Sequence, residues 1–135
     1  ILSIMKETSS HAYLATADGD QPRVRPVSPI VEDDMSIWVA SFASSRKVKQ
    51  IKANPKICLT FVQKPSGDKA AIVVGEARRI EDMETKQRVW GIAGFDLKEY
   101  FPKGSGDPEY CLLRIIPSKI EWRDNWEKTN VYEPS

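Results

Sequence analysis

Histidine is almost missing from this chain of 135 residues, with His11 standing alone. A histidine-built metal cluster has no material, so no metal is expected, and His11 itself reads as a polar strand residue. Cysteine is nearly as scarce. Cys58 and Cys111 each sit inside an apolar run, Ile57-Cys58-Leu59 and Tyr110-Cys111-Leu112-Leu113, with no second cysteine or histidine beside them. Small secreted domains stapled by disulfides usually carry more cysteines. The pair therefore reads as buried thiols in a reducing, cytoplasmic compartment, with a single Cys58–Cys111 bridge as the alternative. Net charge is lacking too: 20 Lys and Arg stand against 19 Asp and Glu. Such a balance gives no broad attraction to nucleic acid or to an anionic membrane, and any positive site must be local. No apolar run approaches the ~20 residues that a membrane-spanning helix needs. Neither a repeat nor a low-complexity tract is present, and the Ser and Cys residues lack a plausible neighbouring base in sequence to make a nucleophile, which leaves only a base brought near in space. The length fits one domain, and the start at Ile1 rather than Met leaves room for a short leader upstream.

What is present alternates mostly at the period of a strand. Residues 1–8, apolar at 1, 2, 4 and 5, suit the end of an amphipathic helix. Residues 11–17 predict a strand, Asp18-Gly19-Asp20 a hairpin turn, and residues 23–31 the partner strand. That partner contains Pro26 and Pro29, which lack the N–H a ladder needs, so it should be an edge or an interrupted strand with backbone groups left for something else. A third strand spans 36–42. Residues 44–54 change to helical spacing through Val48, Ile51 and the stem of Lys52, capped by Ser44 or Ser45 and stopped by Asn54-Pro55, a helix of about three turns. Strands follow at 57–62 and 70–80, joined by a hairpin loop at 64–68. A helix with acids in its first turn runs from 81 to 90. Residues 91–108, rich in glycine and proline, read as a long, mobile connection. Two β segments, 110–116 and 119–122, then close the chain across a Pro117-Ser118 turn. Seven consecutive short antiparallel strands with two internal helices predict a mainly β fold, a small antiparallel barrel.

The sharpest chemical signal is Ser44-Ser45-Arg46-Lys47-Val48-Lys49 at the start of the first internal helix. Cations in a first turn face the positive end of the helix dipole, which costs from a few tenths to ~1 kcal/mol. An anion held there reverses the sign, because free N–H groups, serine hydroxyls and a Lys or Arg together make a phosphate seat. A solvated basic helix end is the plain alternative. A second signal is Arg23-Val24-Arg25, two guanidiniums on one face of a strand. Arg23 reads as a solvent-facing rim residue. Arg25, next to the proline-interrupted stretch, is the stronger candidate ligand.

Taken together, Arg25-Pro26-Val27-Ser28, Ile37-Trp38-Val39-Ala40-Ser41, Ser45-Arg46-Lys47-Val48-Lys49-Gln50-Ile51 and Asn54-Pro55 resemble the successive flavin-binding segments of the pyridoxamine 5′-phosphate oxidase superfamily, most closely its short general-stress-protein-like members. The resemblance runs without a gap from Arg25 to Asn54. It implies a Greek-key-like split β-barrel that binds flavin mononucleotide (FMN) between the two subunits of a homodimer. Arg25, Arg46 and Lys47 would hold the FMN phosphate, with Ser45 at the helix start. Pro26, Val27, Ser28, Ala40 and Ser41 would lie along the ring system and ribityl chain. Trp122 and Trp126, with Arg123, would either stack near the flavin or pack in the core or interface.

The sequence also departs from that family. Ile30 stands where true oxidases have a lysine for the substrate phosphate, and Ala71 and Val73 stand near positions of polar flavin contacts. The long carboxy-terminal extension of the true oxidases is not in this sequence either. These departures argue against pyridoxamine phosphate oxidation. Three readings follow: an FMN-dependent oxidoreductase with an unassigned substrate and a small-molecule or nicotinamide electron donor; a non-catalytic flavin store, sensor or electron carrier; and a split-barrel reductase that uses a deazaflavin. In each, the cofactor carries the redox chemistry and the protein need supply no acid or base.

Overall fold

The structure is a computed structural model that describes residues 1–8, 12–63 and 67–134. Its elements in chain order are α1 (Leu2–Thr8), β1 (Ala12–Asp18), β2 (Gln21–Val27), β3 (Ile30–Val31), β4 (Ile37–Phe42), α2 (Arg46–Ala53), β5 (Lys56–Val62), β6 (Ala70–Ile80), α3 (Met83–Ile92), two 3₁₀ turns (Leu97–Glu99 and Gly104–Gly106), β7 (Tyr110–Arg123) and β8 (Asn130–Tyr132). The strands form one antiparallel sheet in the order β2-β1-β5-β6-β7-β4-β3, with β8 added to β7.

That order dictates the shape. Strands β2 and β3 lie at opposite ends of the sheet, yet only Ser28 and Pro29 separate them in the chain. Three Cα steps span at most ~11 Å, so the sheet has to curl until its two edges face each other. No β2–β3 ladder is found among the described residues. Pro26 and Pro29 cannot donate to one, and the barrel stays split at this point.

Period-two alternation fills the interior. Ala12 and Leu14 of β1, Leu59 and Phe61 of β5, and Val73 of β6 point inward, and Met5 of α1 with Val48 and Ile51 of α2 close the same cluster. A second cluster lies around β4 and β7, where Trp38, Tyr110 and Leu112 pack against Val89 of α3 and against Leu97 and Phe101 of the 3₁₀ region. Strand β7 is covered on both sides here, which explains its unbroken buried run from Tyr110 to Leu113.

The split barrel matches the sequence expectation, and several local readings change. The expected partner strand at 23–31 is two strands on opposite edges, interrupted as its prolines required. Helix α2 has eight residues, just over two turns rather than about three. The expected turn at Pro117-Ser118 does not exist. Strand β7 runs straight through it, because the register against β6 shifts between Val74 and Gly75 and the bulge removes the need for a proline N–H. Gly75 makes this possible: a Cβ there would lie 2.1 Å from the Ile116 carbonyl oxygen. Residues 93–109 are anchored by Leu97 and Phe101 in the second cluster and by the buried Asp107, which accepts from the Lys103 and Glu109 N–H groups, rather than hanging as an open loop. Strand β8 had no sequence expectation. Both cysteines are free, Cys111 buried and Cys58 half-buried. His11 and most of the 64–68 loop lie outside the described residues.

Candidate functional site

The split between the sheet edges opens into a cavity of about 660 Å³, well within the range of small-molecule sites. Pro26, Val27 and Ser28 of the crossover form one wall, Ala40 and Ser41 at the end of β4 form another, and Lys47 of α2 stands at one side. The outer wall is apolar and aromatic: Ile92, Phe95, Leu97, Tyr100 and Phe101 come from α3 and the 3₁₀ region, with Phe42 from β4. Ile30, 5% exposed, lines the cavity as well.

Electrostatics set the Lys47 side apart. Burial and the nearby Arg25 guanidinium push the Lys47 ammonium below the usual lysine range. Arg25, half-buried, is depressed in turn by its own burial and by Arg23. Arg23 itself leans on Asp18 at 3.6 Å in an exposed pair, as a rim residue should. Among the described residues no carboxylate comes within ion-pair distance of Arg25 or Lys47. Two half-buried cations thus adjoin without a counter-charge.

Unsatisfied hydroxyls stand beside them. Ser44 is used for structure: its N–H and Oγ both donate to Glu109 Oε2, at 3.2 and 2.9 Å, which ties the turn before α2 to the start of β7. Ser45 takes the N-cap position in extended backbone but makes no side-chain capping bond, and its Oγ is buried without a partner. Ser41 Oγ, on the cavity wall, is buried and unpartnered too. Buried polar atoms are normally bonded, so the Ser45 hydroxyl at the helix start and the Ser41 hydroxyl, which shares the cavity lining with Lys47, can each bond to an acceptor-rich group.

Of the residues expected at the site, Pro26, Val27, Ser28, Ala40, Ser41 and Lys47 therefore surround one cavity, with Arg25 beside Lys47 and Ser45 at the adjoining helix cap. Arg46 is exposed on the first turn of α2. Trp122 lies apart from them within this chain, half-buried against the main core and opposite Ala71 on β6. Trp126 stacks under the Arg123 guanidinium, 4.2 Å from its ring centre, and donates to Asp68 at 2.9 Å. Burial raises both cysteine thiols, which disfavours reactive thiolates.

Sequence reasoning missed two groups. Thr16 and Gln50, both buried, bind the Arg25 guanidinium. Thr16 was legible as the polar member of the inward Ala12, Leu14, Thr16 row, and Gln50 as the residue three positions beyond Lys47 on α2. The second group, Ile92 to Phe101, gave only a hint in Leu97 and Phe101, four apart in a glycine-rich stretch. Among the described residues no group of three or more His, Cys, Asp or Glu side chains is placed to hold a metal ion, and no described helix is long and apolar enough to cross a membrane.

The sequence profile of the family described as pyridoxamine 5′-phosphate oxidase matches residues 5–123. No curated protein matches the chain. Among solved structures, a protein related to general stress protein 26 from Clostridium acetobutylicum is 22% identical, covers 97% of this chain and 90% of its own, and superposes with a TM-score of 0.81. General stress protein 26 of Bacillus anthracis is 21% identical over 98% of both chains, with a TM-score of 0.78. A heme binding protein from Mycobacterium smegmatis shares the fold at a TM-score of 0.79 with 11% identity, and this chain spans 56% of its length.

Proposed function

The chain belongs to the pyridoxamine 5′-phosphate oxidase family, and from that premise we propose that it binds FMN in the split of the barrel and works as a homodimeric, flavin-dependent oxidoreductase. The observation that carries this reading is the pair of uncompensated cations, Arg25 and Lys47, beside the unsatisfied Ser41 and Ser45 hydroxyls. A phosphomonoester supplies the two negative charges and the acceptor oxygens that this group lacks.

Arg25 and Lys47 hold the phosphate, and Ser45 with the free N–H groups of the first turn of α2 completes the seat. Arg46, one position before Lys47 and exposed, adds charge at the mouth. Pro26, Val27 and Ser28 on one wall and Ala40 and Ser41 on the other would flank the ring system. The apolar outer wall excludes water from that ring. Bound FMN would supply the hydride or electron transfer itself.

The exposed apolar rim of the cavity supports the homodimeric part of the proposal. Phe42, Ile92 and Tyr100 line the cavity yet are 43%, 47% and 53% exposed. A homodimer that covers this rim closes a site which one small barrel leaves open. The heme-binding relative raises a different occupant. Of the described side chains lining the cavity, only Tyr100, Lys6 and Lys47 offer a donor atom of the usual axial kinds, with no Cys or Met among them, and this favours flavin.

The visible spectrum of protein reconstituted with FMN, and light scattering of the same sample, test the reading. Oxidised-flavin absorption that co-elutes with a dimer is expected, and bleaching by NADH or NADPH without oxygen identifies an oxidoreductase rather than a passive carrier. Retention of a deazaflavin or a haem in place of FMN refutes the assignment.

A further inference from the structure

Arg25 is held more firmly than a phosphate ligand on a strand edge needs to be. Its Nη1 donates to Thr16 Oγ1 at 2.7 Å and to the Leu14 carbonyl at 3.2 Å, and its Nη2 donates to Gln50 Oε1 at 3.0 Å. Thr16 Oγ1 in turn donates to Gln50 Oε1 at 2.5 Å. Thr16 is 4% exposed and Gln50 9%, on faces otherwise occupied by Ala12, Leu14, Val48 and Ile51. A buried hydroxyl and a buried amide on apolar faces are costly unless bonded, and here their oxygens converge on one guanidinium.

Donor accounting shows what this leaves. A guanidinium has five N–H groups. Three are engaged among the described residues, which leaves two, one on Nε and one on Nη2, adjacent nitrogens of the same planar group. That is the two-pronged set that matches two oxygens of one phosphate. Gln50 lies three residues beyond Lys47, so one face of α2 carries both the ammonium of the seat and the amide that holds the opposite cation. Arg25 and Lys47 repel each other. Without the Thr16 and Gln50 oxygens the flexible arginine would swing toward water.

We propose that Thr16 and Gln50 are positioning residues that lock Arg25 with two donors free, and that this lock sets the preference of the site for a phosphorylated over an unphosphorylated flavin. The proposal rests on the phosphate-seat reading above. Side chains that only filled the core would affect every ligand alike. A lock on the phosphate ligand affects the phosphate alone.

Dissociation constants for FMN and for riboflavin, measured by fluorescence quenching on wild type, Thr16→Val, Thr16→Ser and Gln50→Met, decide the matter. The Val and Met variants should lower the FMN-over-riboflavin preference about tenfold, with riboflavin affinity unchanged, while Thr16→Ser, which keeps the hydroxyl, should keep the preference. Should Gln50→Met fail to fold, Thr16→Val against Thr16→Ser decides alone. A wild type that prefers FMN, with variants that keep that preference or lose both ligands equally, overturns the lock and spares the seat. A wild type with no preference overturns both.

Discussion

Replacing Lys47 by Met should move two measurements in opposite directions. Lys47 is half-buried, faces Arg25 and has no carboxylate within ion-pair distance among the described residues, so the ligand-free protein carries a repulsion it does not need for folding. Met keeps the length and the helix propensity and removes the charge. Relief of a partly solvated charge interaction is worth about 0.2–1 kcal/mol, which for a chain of this size raises the ligand-free Tm by roughly 1–4 °C. The FMN complex should respond the other way. One lost charge-assisted contact to the phosphate costs ~1.5–3 kcal/mol, a loss of roughly ten- to a hundredfold in FMN affinity, and riboflavin should lose little. There is a pH signature as well. The folded state lowers the Lys47 pKa below the usual lysine range, chiefly through burial, so the unfolded state binds the proton more tightly. Stability of the ligand-free wild type should therefore rise with pH through the window just below the usual lysine pKa, and Lys47→Met should lack that rise. Differential scanning fluorimetry with and without each ligand provides the assay. A variant with a lower ligand-free Tm and an unchanged FMN-to-riboflavin ratio would refute the reasoning.

Three further outcomes are expected. Gly75→Ala should cost about 1–3 kcal/mol through overpacking, since its Cβ would meet the backbone oxygen of Ile116 at 2.1 Å. Urea titration should show a lower midpoint with an unchanged slope, and a neutral result would mean that the bulge is not needed. Burial pushes the Tyr110 phenol up to about 12, and its hydroxyl donates to the Lys86 carbonyl at 2.9 Å. Since the folded state holds this proton more tightly, Tyr110 should subtract stability as pH rises from 10 toward 12, a slope that Tyr110→Phe removes in alkaline denaturation curves. Pyridoxamine or pyridoxine 5′-phosphate should not be oxidised usefully by the FMN-loaded protein, because the buried Ile30 on the cavity wall offers a substrate phosphate no partner. Pyridoxal 5′-phosphate formed near ~1 s⁻¹, the low end for ordinary enzymes, would contradict this.

The sequence by itself determined most of the strands, because alternation at period two is a local property that survives without a partner. It determined that the segment around Pro26 and Pro29 could not sit inside a sheet, since a missing N–H is a fact of the residue. It also determined that cations crowd the start of α2, against the helix dipole. Tertiary structure decided what depends on a distant partner. Pro117 looks like a turn until Gly75, on another strand, supplies the bulge that lets β7 pass through. Ile92 to Phe101 looks like a loose connection until Trp38 and Tyr110 give Leu97 and Phe101 a surface to bury. Thr16, Arg25 and Gln50 are each ordinary in the sequence. They meet across separations of 9, 25 and 34 residues only because α2 packs on β1 beside the sheet edge, and hydrogen bonds set by such long separations leave no periodic trace in the chain.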